Sequence, residues 1–299
     1  MKLLVPITLS LICGAAAFAE VTVQRDIPYL GAERAEKLDV YLPSPGARRP
    51  LPAVLLIHGG GWEVGDKASA RERNIGQTLA EKGYAVFSIN YLLNLKENGP
   101  DGKPRLTRLA WPQNLIDCKT ALRFMRAEAE RFAIDPARIA VMGGSAGGHL
   151  AMLVGVGRKT EAFAGTLYPG QRDDVACIIN LYGPSDIRGR GVSPFANSTL
   201  GKAEKLAGET DASPILYLDA DTPPMLILHG TADKVIPVER SRELVLKLQA
   251  LGVEHQYVEI PGAPHTFDLQ PEQMDLRPLL LTFLARHLGA LQTPASGVR

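Results

Sequence analysis

The stretch RIAVMGGSAG at residues 138–147 joins a short apolar run to a pentapeptide of the form G-x-S-x-G. The apolar run predicts a buried strand, and the small and apolar residues of Ala146–Val154 predict a helix directly after it. A serine on a sharp turn between such a strand and helix has a strained backbone, and its hydroxyl is exposed at the carboxyl edge of the sheet. The stretch therefore predicts that Ser145 is a nucleophile.

The segments around this motif alternate between short apolar or β-branched runs and longer amphipathic stretches. Such alternation is typical of a mostly parallel sheet covered by helices, and it predicts a single α/β domain. The predicted strands are Leu38–Leu42, Ala53–His58, Ala85–Asn90, Arg138–Met142, Val175–Tyr182, Met225–His229 and Gln256–Ile260. The predicted helices are Ala70–Lys82, Asn114–Arg131, Ala146–Val154, Glu239–Leu251 and Gln273–Leu288.

Two connections between these elements, Leu92–Pro112 and Gly183–Pro224, are longer than the few residues that usually join a strand to a helix. Long loops on a rigid scaffold commonly cover a binding site and carry its specificity. We therefore expect substrate selectivity to depend on these two loops. Whether they form a lid is left open by the sequence.

The composition is that of an ordinary globular protein, with 299 residues, 45% hydrophobic and 22% charged. The formal net charge is +1, from 33 basic and 32 acidic residues, without a dense basic run. A nucleic-acid partner normally requires a basic patch, so the charge pattern argues against one. A neutral or weakly charged small molecule is the better expectation, and the oligomeric state stays open.

The first nineteen residues have the pattern of a cleavable secretory signal. Lys2 supplies the positive charge, Leu3–Ile12 the apolar segment, and Ala17-Phe18-Ala19 a cleavage site with small residues. The apolar segment is shorter than the roughly 20 residues that a membrane span requires. The sequence predicts a signal peptide at 1–19, a domain at 20–290, a flexible tail at 291–299, and a secreted or periplasmic protein without a membrane anchor.

A serine hydroxyl needs a neighbouring base, and in this type of fold the chain order is serine, acid, histidine. His265 follows the last predicted strand in the turn-rich segment Pro261–His265, which places it at the carboxyl edge of the sheet. His229 and His255 lie in or beside strands, and His149 lies one helical turn after the serine, so structural roles are favoured for these three. His265 is the predicted general base.

The acid that orients the histidine should follow a strand between serine and histidine. Asp233 lies four residues past the end of such a strand, in His229-Gly230-Thr231-Ala232-Asp233. Asp186 follows the preceding strand and is its rival, although its side chain can instead cap a turn. Asp233 is favoured, and Asp186 remains an alternative.

Donors for a developing oxyanion are the next requirement of an acyl-transfer site. The strand Ala53–His58 ends in His58-Gly59-Gly60-Gly61-Trp62, an HGGG-type motif whose backbone N–H groups point into the site. The predicted donors are the N–H groups of Gly60, Gly61 and Ala146. Trp62 is a candidate wall of the acyl pocket, with a purely structural role as the alternative.

No metal site is expected, because the sequence has neither an H-x-x-E-H pair nor clustered carboxylates. Cys118 and Cys177 remain after signal removal. An export compartment would permit a disulfide only if the fold brought their Cα atoms within about 7 Å. Two separate buried thiols are an equally good expectation.

Four motifs occur in a fixed order: HGGGW at 58–62, GGSAGG at 143–148, HGTADKVIP at 229–237 and GAPH at 262–265. Together they resemble the α/β-hydrolase esterases related to the hormone-sensitive-lipase group, and more narrowly the BD-FAE-like bacterial feruloyl and acetylxylan esterases. The resemblance implies a mostly parallel central sheet with helices on both faces, no large cap and no cofactor. The chain departs from that family's pattern at Leu92, where an Arg is usual, and in a longer loop at Leu93–Trp111.

The sequence thus predicts a serine carboxylic-ester hydrolase that works through an acyl-enzyme. The resemblance implies that its substrates are feruloyl or acetyl esters of plant polysaccharide, or small aryl and short-chain esters. Amide hydrolysis of the arylformamidase or dipeptidase type is an alternative, because the same three side chains attack both bond types. A non-catalytic binding module on the same scaffold is a second alternative, since fold alone does not determine function.

Overall fold

The computed structural model describes residues 20–156 and 163–289. The predicted signal peptide at 1–19 and the predicted tail at 291–299 lie outside the described residues.

The central feature is a twisted sheet of eight strands in the order β1-β2-β4-β3-β7-β8-β9-β10. Its strands β3, β4, β7, β8, β9 and β10 run parallel to one another, whereas β1 and β2 pair antiparallel at one edge. A separate antiparallel hairpin is formed by β5 and β6. The strands are β1 Thr22–Pro28, β2 Lys37–Leu42, β3 Leu51–Ile57, β4 Ala85–Ile89, β5 Leu95–Asn98, β6 Pro104–Arg108, β7 Ile134–Gly144, β8 Cys177–Leu181, β9 Met225–Gly230 and β10 His255–Ile260.

Helices cover both faces of this sheet. They are α1 Ala70–Glu81, α2 Gln113–Ala127, α3 Ala129–Phe132, α4 Ala146–Val156, α5 Lys202–Asp211, α6 Glu239–Ala250 and α7 Arg277–Leu288. None of the helices in the described ranges is both long enough and apolar enough to cross a bilayer.

The strand β3 shows why the sheet sequences are continuous apolar runs, since all seven of its residues are buried. Ala53, Leu55 and Ile57 belong to a core cluster that includes residues of α2, α4 and α6. Val54 and Leu56 belong to a second cluster, with residues of α1 and α7. Because successive side chains in a strand point to opposite faces, the sheet is packed between two helical layers.

The predicted α/β architecture is confirmed, and the predicted strands begin and end within two residues of the observed ones, except that β7 begins four residues earlier, at Ile134. The interpretation of residues 92–112 as an irregular loop was incomplete, because this segment contains the hairpin of β5 and β6. The segment 183–224 contains α5 and a short 3-10 turn at Pro214–Leu216. The predicted helix at 114–131 divides into α2 and α3.

The three strands that the sequence did not predict, β1, β5 and β6, consist mainly of exposed residues. The strand β1 lies at the sheet edge with four of its seven residues exposed, so it has no continuous apolar run. The sequences LKEN of β5 and PRLTR of β6 are mainly polar, and most of their residues are exposed. Backbone pairing alone defines these strands, and a search for hydrophobic periodicity does not find them.

Cys118 and Cys177 are both buried and unpaired. Cys118 belongs to the core cluster that contains α2 and α4, whereas Cys177 belongs to the cluster on the opposite face of the sheet. The structure therefore agrees with the expectation of two separate buried thiols and not with a disulfide between them.

Candidate active site

The turn between β7 and α4 holds Ser145 in the left-handed region, with φ of 57°. This conformation is strained for a residue with a side chain and is kept only where the surrounding structure enforces it. A Cβ atom at Gly143 would lie 2.3 Å from the carbonyl oxygen of Gly147, and one at Gly147 would lie 2.1 Å from the carbonyl oxygen of Ile57. The two glycines therefore permit the close approach that the serine turn requires.

His265 lies in the loop after β10, and its ring reaches both of its predicted partners. The Ser145 hydroxyl is 3.0 Å from His265 Nε2, and His265 Nδ1 is 2.6 Å from Asp233 Oδ2. With the proton on Nδ1, the ring donates to the carboxylate and its Nε2 accepts from the serine. The structure thus brings together the three side chains that the sequence selected, in the geometry of a Ser–His–Asp triad.

Asp233 is fully buried, and all four of its close partners are donors. Its Oδ1 accepts the backbone N–H groups of Val235 and Ile236, both at 2.8 Å. Its Oδ2 accepts from His265 and lies 3.2 Å from His229 Nε2. Burial alone would raise the pKa of this carboxyl, but the hydrogen bonds from His229, His265 and the backbone hold it well below its usual range. Asp233 is therefore ionised at neutral pH.

Asp186, the rival acid, has a different set of partners. Its Oδ1 and Oδ2 accept from the Arg188 guanidinium at 2.9 Å, and Oδ1 also accepts the Arg188 N–H at 3.1 Å. The Ser213 hydroxyl lies 3.4 Å from Oδ1. These contacts fix the turn after β8, as the capping interpretation expected.

Three backbone N–H groups come from residues that, like Ser145, line one cavity of about 260 Å³. They belong to Gly60, Gly61 and Ala146, the three donors that the sequence indicates. Among the loop and turn hydrogen bonds of the described residues, none uses these three N–H groups. They are available to an oxyanion. The cavity is lined by Gly60, Gly61, Trp62, Ser145, Ala146, Pro184, Val192, Val235, Ile236, His265 and Thr266.

Trp62 lines this cavity and is also 98% buried. Its ring packs edge-on against the ring of His149, with 5.1 Å between centroids. His149 Nε2 lies 2.6 Å from the carbonyl oxygen of Ala212, so this nitrogen carries the proton. Trp62 therefore has both roles that the sequence left open: it forms a wall of the cavity and is packed as a structural residue.

His58 holds the loop of Gly59–Trp62 through a hydrogen bond to Gly59. Its Nδ1 donates to the carbonyl oxygen of Gly59 at 2.6 Å, and its ring stacks on Tyr91 with 4.4 Å between centroids. Burial lowers the pKa of His58 to about 4, and it lowers that of His149 to about 4 as well. Both rings are neutral at pH 7, in agreement with packing roles.

Two residues that the sequence reasoning missed hold the histidine loop in place. The Tyr182 hydroxyl accepts from Arg71 at 2.6 Å and donates to the carbonyl oxygen of Phe267 at 3.2 Å. The Phe267 N–H lies 3.3 Å from the same hydroxyl, and the Tyr182 ring packs edge-on against His265. Arg71 and Tyr182 are 111 positions apart, so no local sequence pattern links them.

The remaining histidines lie away from the serine, His255 at the start of β10 and His287 against Phe283 on α7. Within the part of the chain that the structure describes, no three His, Cys, Asp or Glu side chains are grouped as a metal site would require.

The sheet order, the strained serine turn and the free N–H groups beside it define a member of the α/β-hydrolase fold class. The sequence model of the family BD-FAE matches residues 38–248. The chain belongs to this family, as its motifs indicated.

Similarity to individual proteins agrees with this assignment. LipC, an esterase of Mycobacterium tuberculosis (strain ATCC 25618 / H37Rv), is 31% identical over 268 residues, which cover 86% of this chain and 63% of LipC. The chain spans between 56% and 63% of the length of the three mycobacterial relatives that it matches.

Solved structures extend the comparison to nearly whole chains. A truncated form of a carbohydrate esterase from gut microbiota has a TM-score of 0.76 at 25% identity and covers 92% of this chain and 98% of its own. Esterase 2 of Thermogutta terrifontis, in a form phosphorylated by paraoxon, has a TM-score of 0.69 at 25% identity and covers 93% of this chain and 97% of its own.

Proposed function

We propose that this protein is a serine carboxylic-ester hydrolase, with Ser145 as nucleophile, His265 as general base and Asp233 as the acid that orients it. The observation that carries the proposal is the hydrogen-bonded series Ser145–His265–Asp233, which opens onto the same cavity as three unused N–H groups. A nucleophile, a base and an oxyanion site in one place are the requirements of acyl transfer.

The reaction follows from the positions of these atoms. Ser145 Oγ bonds to the ester carbonyl carbon while its proton passes to His265 Nε2, and the carbonyl electron pair moves to the oxygen. The oxyanion is held by the N–H groups of Gly60, Gly61 and Ala146. His265 then protonates the alcohol oxygen as the C–O bond breaks, which leaves an acyl-enzyme.

Water completes the cycle by the same route. His265 Nε2 takes a proton from water, the hydroxide oxygen bonds to the acyl carbon, and a second oxyanion forms. When this intermediate collapses, the proton returns to Ser145 Oγ and the carboxylic acid leaves. Asp233, ionised and buried, stabilises the imidazolium in both half-reactions.

The substrate that we propose is a neutral ester with a small or flat acyl group. Support comes from the cavity walls, where Trp62, Pro184, Val192, Val235 and Ile236 are apolar. Apolar walls with a few polar groups at one end favour an uncharged acyl chain whose carbonyl lies at the serine.

Feruloyl or acetyl groups on plant polysaccharide, and small aryl or short-chain esters, meet this description. Export through the predicted signal peptide would bring a secreted or periplasmic enzyme to polymeric substrates. The likeness to a carbohydrate esterase supports the same proposal.

The test is turnover by purified wild type and by Ser145→Ala. We expect wild type to hydrolyse p-nitrophenyl acetate and methyl ferulate. Ser145→Ala should retain its unfolding temperature and lose at least about 10⁴-fold in kcat. Retained activity in Ser145→Ala would refute the role of this serine. A formyl anilide and an aminoacyl p-nitroanilide are the comparison substrates. Faster turnover of either amide than of the esters would assign the protein amide hydrolysis in place of ester hydrolysis. Absence of turnover on all four by the folded wild type would favour a binding role.

A further inference from the structure

We propose that His229 is a positioning residue, which holds the carboxylate of Asp233 in place from the side opposite His265. The proposal rests on the proposed function, because positioning of the acid affects turnover only if the acid takes part in it. His229 opens the motif HGTADKVIP at 229–237, and the triad itself makes no use of it.

His229 lies near the end of β9, and its side chain is completely buried. Each of its ring nitrogens has a partner. Nδ1 is 2.7 Å from the Ser241 hydroxyl on α6, and Nε2 is 2.8 Å from the carbonyl oxygen of Ile236. Nε2 is also 3.2 Å from Asp233 Oδ2.

These partners determine where the proton of His229 lies. A carbonyl oxygen and a carboxylate oxygen can only accept, so Nε2 must carry the hydrogen that it shares between Ile236 and Asp233. Nδ1 of the neutral ring then accepts from the Ser241 hydroxyl. His229 is thus a buried donor, and the carbonyl oxygen of Ile236 sets the direction of its Nε2–H.

The consequence for Asp233 is a carboxylate held from every side. Oδ2 accepts the N–H of His265 and lies 3.2 Å from the protonated Nε2 of His229, and Oδ1 accepts two backbone N–H groups. Without the His229 donor, the only remaining partner of Oδ2 is His265. The ring of His265 gains and loses a proton during the reaction, so it is a less constant support for the carboxylate. The carboxylate then gains freedom to rotate about its Cβ–Cγ bond, and fewer molecules have His265 aligned with the serine.

His229 also fixes the loop itself. The carbonyl oxygen that it binds belongs to Ile236, whose N–H donates to Asp233 and whose side chain lines the cavity. One ring therefore determines both the direction of the acid and the path of the segment that carries it.

The experiment compares donor-free with donor-bearing replacements. His229→Phe fills the ring volume without an N–H group, and His229→Gln places an amide N–H near the position of Nε2. We expect kcat on p-nitrophenyl acetate to fall about 10- to 100-fold in His229→Phe with little change in KM, because the lost hydrogen bond is to a charged group. His229→Gln should recover much of that loss. His229→Met is the second donor-free variant if the phenyl ring prevents folding.

Ser241→Ala is the matched control, because it removes the other hydrogen bond of the same ring and leaves the contact with Asp233. Its unfolding temperature should fall, whereas its kcat should stay within about twofold of wild type. An equal loss of kcat in Ser241→Ala and His229→Phe would assign His229 a purely structural role and overturn the proposal.

A double-mutant cycle with Asp233→Ala decides how His229 acts. If it acts through Asp233, His229→Phe should lower kcat by less than about twofold in the Asp233→Ala background. The same fold-loss in both backgrounds, or an unchanged kcat in His229→Phe, would contradict the inference. Failure of the proposed function is a separate result, since it appears as an inactive wild type or an active Ser145→Ala.

Discussion

The serine edge of the sheet and the two inserted segments, residues 92–112 and 183–224, differ in how they are held. At the serine edge, Ser145, Asp233 and the N–H groups are placed by parallel strands buried on both faces and by backbone hydrogen bonds. The inserted segments share a small separate cluster in which Ile187, Phe195 and Ala212 are the buried residues. The contrast indicates that chemistry belongs to the rigid edge and selectivity to segments that tolerate change.

The buried residue Asn94, in the first inserted segment, contacts both the second inserted segment and the serine edge. The Asn94 side chain donates to the carbonyl oxygen of Pro194 at 2.8 Å and accepts the N–H of Ala110 at 2.7 Å. The Asn94 N–H donates to the carbonyl oxygen of Trp62, also at 2.8 Å. Asn94 thus links both inserted segments to Trp62, in the cavity wall next to the oxyanion donors.

The largest expected effect separates the two candidate acids. Asp233→Asn should lower kcat about 10³- to 10⁴-fold, because the amide no longer stabilises the imidazolium and favours the wrong tautomer of His265. Asp186→Asn, in the inserted segment, should stay within about tenfold of wild type, since it removes ion pairs with Arg188 and Arg190 that lie outside the triad. Steady-state kinetics on p-nitrophenyl acetate measure both, and the reverse order would exchange the roles of the two acids.

The second prediction tests the oxyanion loop with two neighbouring glycines. A Cβ at Gly60 would lie 1.9 Å from the carbonyl oxygen of Val64, whereas at Gly61 it would meet no atom within 4 Å. Gly60→Ala should displace the loop and lower kcat about 10²- to 10³-fold, the usual cost of losing an oxyanion donor.

Gly61→Ala is the matched control for that prediction. It keeps its N–H and suffers only the strain of φ 61°, so its loss should be much smaller. Equal losses in the two variants would show that loop displacement does not control the activity.

The third prediction concerns the cavity wall that the inserted segment contributes. Val192→Phe narrows the cavity, so kcat/KM for methyl ferulate should fall about tenfold relative to that for p-nitrophenyl acetate. Leu200→Phe on the same segment changes an exposed residue that does not line the cavity. Its ratio of kcat/KM for methyl ferulate to kcat/KM for p-nitrophenyl acetate should match that of wild type. An unchanged ratio in Val192→Phe would remove this segment from acyl selection.

The last effect is on stability and not on turnover, and it arises at the serine edge. Burial lowers the pKa of His149 from the unfolded value of 6.5 to about 4, so the unfolded chain binds the proton first as the pH falls. The free energy of unfolding should therefore decrease between pH 6.5 and 4, by up to about 3 kcal/mol for this histidine, and level off below pH 4.

His58 contributes in the same pH window and with the same sign. Urea unfolding at several pH values should give a shallower decrease for His149→Gln than for wild type. Identical pH dependence in the two proteins would contradict a buried neutral His149.

The sequence alone was sufficient for the parts of the molecule that depend on local patterns. The strand before Ser145, the HGGG motif and the turn before His265 each have their signal within about ten residues, and the structure places them at one sheet edge. Arg71 and Tyr182 were not predicted, because the hydrogen bond that joins them spans 111 positions. The hairpin of β5 and β6 was missed because its charged residues have no apolar alternation.

The central claim is that Ser145 forms a covalent bond with the acyl carbon, and a fluorophosphonate reagent tests it most directly. Its phosphorus bonds to the nucleophilic oxygen as fluoride leaves, so the adduct marks the residue by mass. Intact-protein and peptide mass spectrometry should find one adduct per chain, on the peptide that contains Ser145, with none on folded Ser145→Ala. A folded wild type that hydrolyses esters but is labelled at another residue, or not at all, would contradict the claim.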